Sequence, residues 1–242
     1  MRPAVTLAAA ALLALSACSD QKAAEKKPAD AGRQVEEAQK AETQTTGRDL
    51  PRGTGFDFYV LSLSWSPTWC ADNDPSGKTT QCRPGADNGF IVHGLWPQHD
   101  RGYPEFCPSR QPDRVPDALG RSVMDIIPSM GLIGHQWRKH GSCSGLSQKD
   151  YFAVTRAARE AVTIPAALDD PRSRQRTSPA EIEQALIATN SGLGAGGIAV
   201  TCDDGRLEEV RICLTADLTF RDCPEVDRSA CRAKTITQPP VR

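Results

Sequence analysis

The segment His135-Gln136-Trp137-Arg138-Lys139-His140-Gly141-Ser142-Cys143 gathers two imidazoles, an ammonium and an amide, and Phe90-Ile91-Val92-His93-Gly94-Leu95-Trp96-Pro97-Gln98 supplies a third imidazole upstream. At about 100° per residue, His135, Lys139, Gln136 and His140 fall at about 0°, 40°, 100° and 140° around a helix, so they share one face and leave Trp137 and Arg138 to the other. All four histidines of the chain lie between His93 and His140, and only His99 stands outside the two segments. Such a set suits phosphoryl transfer. Cleaving RNA without a metal uses the neighbouring 2′-hydroxyl as nucleophile, with a base to take its proton and an acid to protonate the departing 5′-oxygen. Two imidazoles near neutrality fill both roles. A fixed ammonium such as Lys139 stabilises the charge that grows on the phosphoryl oxygens. His135 and Gln136 can donate to the same oxygens, and the Trp96 indole can pack against sugar, phosphate or base. The need for a 2′-hydroxyl excludes DNA as substrate.

Taken singly, each residue has an ordinary structural account. His93 in an apolar strand reads as a satisfied core histidine, Lys139 and Arg138 as solvated helix charges, and Trp96 as core. For Trp137 the core account is the one adopted. Only the combination points to chemistry. A metal site built on His93, His135 and His140 is a rival, but neither segment contains an acidic residue to support it.

The elements that must position these groups are legible in part. Phe56 to Trp65 is aromatic and β-branched with partial alternation and reads as a strand that Pro67 stops, while Gly89 to Leu95 reads as a second strand carrying His93 near its end. Helices are signalled by Ser147-x-x-Asp150 before Tyr151 to Val162, and by Ser178-Pro179-Ala180-Glu181 before Ile182 to Ala188. Residues 197–201, 207–214 and 218–220 read as strands. The pattern predicts an α+β fold: one domain with a central mixed, mainly antiparallel sheet and helices packed largely to one side.

Arg2 followed by the apolar run Ala4 to Ala14, too short to span a bilayer, reads as a secretory signal over residues 1–17. Leu15-Ser16-Ala17-Cys18 resembles a bacterial lipoprotein processing site, which makes Cys18 the lipid-bearing residue and places the protein on the periplasmic face of a membrane. An ordinary signal cut nearby would leave it periplasmic or secreted. Residues 18–52 contain no aromatic residue and few large aliphatics, so they read as a disordered tether reaching roughly 30 Å, ahead of a domain over 53–242. Nine cysteines less Cys18 leave eight, which an oxidising compartment pairs into four disulfides. Counting leaves on the order of a hundred pairings open. No C-x-x-C spacing argues for zinc. The chain carries 29 basic and 30 acidic side chains; loss of Arg2 with the signal leaves a formal charge of −2. That is no broad basic surface, so contact with nucleic acid should be short and local.

His93-Gly94-Leu95-Trp96-Pro97 and the segment His135 to Cys143 closely resemble the two active-site segments of the ribonuclease T2 family. Phe56 to Trp65 with Pro67 is similar to the family's first core strand, and the spacing Cys202, Cys213, Cys223, Cys231 to its C-terminal cysteine quartet, so the resemblance spans about residues 56–235. It implies a secreted endoribonuclease of α+β fold that cuts single-stranded RNA through a 2′,3′-cyclic phosphate, without metal and with little base preference; no cofactor is expected, and a monomer is. By position it implies His140 as general base, His93 as general acid, Lys139 as the transition-state cation, and His135 and Trp96 as the phosphate-binding pair. It further implies disulfides Cys70–Cys82, Cys107–Cys143, Cys202–Cys231 and Cys213–Cys223. At Gln136 the family usually has glutamate. An amide keeps the size and one acceptor but cannot exchange a proton, so a catalytically weakened or inactive RNA-binding member of the same fold is the alternative.

Overall fold

The structure is a computed structural model that describes residues Leu50–Val241; the signal segment, Cys18 and most of the expected tether lie outside the described residues. Strand β1 (Phe58–Trp65) is the spine. It pairs antiparallel with β2 (Phe90–Gln98) on one side and with β5 (Arg206–Leu214) on the other, and β5 pairs antiparallel with β4 (Ile198–Asp203). At the far end of β5, Arg206 pairs in parallel with Thr237 of the short β6 (Ile236–Gln238), which carries β3 (Gln175–Thr177). The sheet is therefore mixed and almost wholly antiparallel.

Alternation sorts the two faces. Tyr59, Leu61, Leu63 and Trp65 of β1, with Val210, Ile212 and Leu214 of β5, enter the main core. The helices that bury apolar side chains all join this same cluster: α3 (Met130–Lys139) with Ile133 and Trp137, α4 (Gln148–Glu160) with Tyr151 and Phe152, and α6 (Pro179–Thr189) with Ile182 and Leu186. Ser147 caps α4 by accepting from the Asp150 amide, and Ser178 with Glu181 closes a full capping box on α6. The opposite face of β1 is thinly covered, by Phe58, Val60, Cys213 and Cys223 with Trp96 alongside. That face is left for function. Four disulfides, Cys70–Cys82, Cys107–Cys143, Cys202–Cys231 and Cys213–Cys223, staple the domain with Cα separations of 5.0 to 6.2 Å.

One expectation needs correction. Residues 218–220 form no strand; Phe220 makes an isolated bridge to Leu214, because Leu218 takes φ 60° in a turn closed between Thr215 and Thr219. Pro67 ends β1 by opening a helix, α1 (Ser66–Asn73), whose early turn suits a residue without an amide hydrogen. The short elements β3, β6, α2 (Asp117–Arg121), α5 (Ala166–Asp169) and α7 (Pro224–Asp227) carry too few residues for a periodic signal. Among the described residues no helix is long and apolar enough to cross a membrane.

Candidate active site

The site begins with an irregularity in β2. Ser62 pairs with Gly94 and Leu63 with Val92, which leaves His93 without a partner on β1, as in a β-bulge. The extra residue lets Val92 and Leu95, three apart, both enter the core, while His93 and Trp96, also three apart, turn to the thinly covered face. From the other side comes α3. The Ser129 hydroxyl caps it by accepting from the Leu132 amide, and the Trp137 indole N–H donates to the Pro112 carbonyl at 2.9 Å, anchoring the buried side of the helix. The helix stops at Lys139; His140 is its C-cap, and Gly141–Cys143 form a 3-10 turn. Glycine is needed at 141, since a Cβ there would stand 2.6 Å from the Trp137 ring and 2.8 Å from that of Tyr151. The Tyr151 hydroxyl donates to the Leu95 carbonyl at 2.9 Å, tying α4 to β2 beside Trp96.

Strand and helix face each other across a cleft of about 340 Å³ lined by His93, Trp96, His135, Gln136, Lys139 and His140. All six residues singled out for catalysis or substrate binding meet there. Trp137 lies in the core, Arg138 lines a separate depression, and His99 stands apart, its Nδ1 3.5 Å from an Asp57 carboxylate oxygen. Trp96 is the hub. Its indole N–H donates to Gln136 Oε1 at 2.8 Å, its ring stacks on His140 at 5.3 Å and meets the edge of His93 at 5.2 Å, and the Arg211 guanidinium lies over it at 5.5 Å. Any side chain at position 94 would collide with the Trp96–Gln136 hydrogen bond, which accounts for glycine directly after His93.

The imidazoles differ in surroundings. His140 is 6 % exposed, and its Nδ1 is buried with no partner among the described residues. Burial first, then the charge of Lys139 and of the other two histidines, pushes its pKa down to about 3, so it is neutral near pH 7. Burial, Lys139 and Arg138 lower His135 in the same direction. His93 instead has an acidic partner, for Glu209 of β5 contacts its Nδ1. Burial alone would raise the Glu209 carboxyl, but His93 and Arg211 hold it down to about 2. Lys139 reaches Glu105 at 3.5 Å.

Sequence reasoning missed Glu209, Arg211, Glu105 and Tyr103, which contribute to the cleft or touch its residues. The first two had a signal. In Glu209-Val210-Arg211-Ile212-Cys213 the two charges alternate with Val210 and Ile212, so they fall together on one face of the strand. Among the described residues no group of three or more His, Cys, Asp or Glu is arranged to hold a metal ion, the three cleft imidazoles included.

Fold and site together define a disulfide-stapled α+β protein with an imidazole–lysine cleft on the open face of its sheet. The sequence profile of the ribonuclease T2 family matches residues 56–223, and the chain belongs to that family. It is 35 % identical over 166 residues to a ribonuclease of Aeromonas hydrophila, covering 68 % of this chain and 74 % of that one. To ribonuclease DdI of Dictyostelium discoideum it is 28 % identical over 210 residues, covering 80 % and 90 %. Among solved structures, RNase NT in complex with 5′-AMP superposes with a TM-score of 0.60 at 22 % identity, over 77 % of this chain and all of that one. An RNase-related protein from Calystegia sepium gives 0.62 at 19 % identity, over 78 % of this chain and all of that one. At those identities the likeness shows the fold. The chain is a T2-type ribonuclease, an RNA endonuclease.

Proposed function

We propose that this chain cuts single-stranded RNA by metal-independent transphosphorylation, the 2′-oxygen displacing the 5′-oxygen to leave a 2′,3′-cyclic phosphate, with little base specificity. The observation that carries this reading is the convergence of His93, His140 and Lys139 on one cleft around Trp96. His140, neutral near pH 7, suits the base that takes the 2′-hydroxyl proton. His93, on the opposite wall, suits the acid that delivers a proton to the departing 5′-oxygen. Lys139 supplies positive charge where the equatorial oxygens become more negative. His135, Trp96 and the Gln136 amide suit phosphate binding. The exposed Tyr103 offers a flat surface to any base, which favours tolerance over readout.

Digestion of a synthetic oligoribonucleotide with a strong chelator present should yield 2′,3′-cyclic phosphate ends, and His140→Ala should abolish the cleavage. Products ending in a 5′-phosphate and a free 3′-hydroxyl, or activity lost to the chelator, would sink the mechanism. The alternative, an RNA-binding protein without turnover, draws on Gln136; it predicts retained oligonucleotide binding and no cyclic product. Export, with Cys18 carrying lipid and residues 18–52 tethering a monomeric domain at the periplasmic face, belongs to the same proposal. The four disulfides of the described domain support an oxidising compartment.

A further inference from the structure

Glu209 and His93 lie 116 residues apart in sequence and on strands that do not touch, because β1 runs between β2 and β5. Neighbouring strands stand about 4.8 Å apart, so a contact across an intervening strand must bridge roughly 10 Å of sheet. It forms because β1 presents serines where larger residues would block it: Ser62 pairs with Gly94 on one side and Arg211 on the other, and Ser64 pairs with Glu209. Both serines are buried, and the Ser62 hydroxyl has no partner among the described residues, so Ser62 is not held there by a hydrogen-bonding task of its own. The Glu209 carboxylate is 5 % exposed, and each of its oxygens is occupied. Oε1 meets His93 Nδ1, and Oε2 accepts from Arg211 Nε at 2.9 Å and from its Nη2 at 2.8 Å. Arg211 in turn lies over Trp96, whose ring meets the edge of His93. The four side chains form a closed loop, three of them lining the cleft and Glu209 buried behind His93 and Arg211.

We propose that Glu209 is the positioning residue of the acid step: it accepts the Nδ1–H of His93, so that Nε2 carries the proton offered to the departing 5′-oxygen, and Arg211 locks the carboxylate in that attitude. The inference rests on His93 acting as the general acid. An imidazole whose inner nitrogen is fixed by a carboxylate presents one defined outer N–H. A glutamine at 209 cannot do the same job, because turning its oxygen to His93 turns its NH₂ into the Arg211 guanidinium.

The test compares E209Q and H93A with the natural chain on two substrates: a dinucleotide, whose 5′-oxygen leaves only with a proton, and uridine 3′-(4-nitrophenyl phosphate), whose leaving group departs as a stable anion. E209Q should lose about tenfold to a hundredfold in kcat/KM on the dinucleotide and stay within about threefold on the nitrophenyl ester. The retained ester activity shows that the variant is folded with its base and phosphate groups in place. H93A should show the same selectivity, more strongly. Equal loss of H93A on both substrates would remove the acid role of His93 and with it the reading beneath. A selective H93A beside an E209Q that is unaffected, or impaired equally on both, would overturn the role of Glu209 alone.

Discussion

Gln136 stands where the resemblance to the ribonuclease T2 segments leads one to expect glutamate, and its surroundings bound the effect. It is 1 % exposed, and its Oε1 already accepts the Trp96 N–H, a bond that a carboxylate would accept equally well. The difference therefore falls on the second arm of the side chain, where an NH₂ can donate to a phosphoryl oxygen but cannot exchange a proton. Gln136→Glu should alter turnover on a dinucleotide by less than about a hundredfold; a larger gain would mean that a proton passes through this position. His140 gives a second prediction. With its pKa at about 3 in the fold against 6.5 when free, the unfolded chain binds a proton that the native state refuses throughout that interval, so stability falls as pH drops from 6.5 towards 3. Glu209 has the carboxylate sign. Held at about 2 against an ordinary 4.5, its contribution is present above 4.5 and is lost as pH falls from there towards 2. Thermal melting should decline over the whole acid range, and His140→Asn should make the part between pH 6.5 and 4.5 shallower, where Glu209 is silent and His135, lowered in the same direction, keeps its own share. In NMR titrations the His140 ring should stay neutral to well below pH 5, and a bound 3′-nucleotide, placing negative charge beside it, should move its midpoint upward. A midpoint near 6.5 in the free protein would contradict the burial assigned to this ring.

At the scale of elements, the two histidine segments are set by different devices, and one is easier to read than the other. The helical face is plain arithmetic: His135, Gln136 and Lys139 lie on α3 and His140 caps it, and all four line one cleft. The bulge at His93 is harder, because it shows only as Val92 and Leu95 both reaching the core from positions three apart, a spacing that no regular strand allows. Residues 103–107 carry no periodic signal, yet they hold the exposed Tyr103 at the cleft and the exposed Phe106 edge-on to His135. What holds them is short-range. The Phe106 amide donates to the Lys139 carbonyl at 2.8 Å, and Cys107–Cys143 closes a 36-residue interval. On chain-entropy grounds that bridge contributes about 4 kcal/mol. Replacing both Cys107 and Cys143 by alanine should lower the melting temperature and reduce kcat/KM together, since the end of α3 carries Lys139 and His140. A stable variant with unchanged turnover would show that the turn at 141–143 orients the site unaided.

For the whole molecule, strands β1, β2, β4 and β5 and helices α4 and α6 were legible from periodicity and caps, because each signal is local. The order in which the strands meet was not. Pairings such as Leu61 with Ile212 join residues far apart in the chain, and a sequence pattern says which face a residue takes but not which strand lies beside it. Glu209 was overlooked for that reason, since its role exists only once β5 is laid against β1. Net charge, by contrast, is a global quantity that needs no topology. At a formal −1 for the chain, with Lys139 paired to Glu105 and Arg211 to Glu209, the cleft offers few cations to a phosphate backbone. Each neutralised phosphate of a single strand contributes about −0.7 to the slope of log affinity against log salt, so one to three contacts give a slope of about −0.7 to −2. Measured as kcat/KM on a long oligoribonucleotide under subsaturating conditions, the dependence should fall in that range and change little when the oligomer is shortened to a few nucleotides. A slope steeper than about −3 would mean that RNA tracks across a further part of the surface, outside the cleft that the two histidine segments enclose.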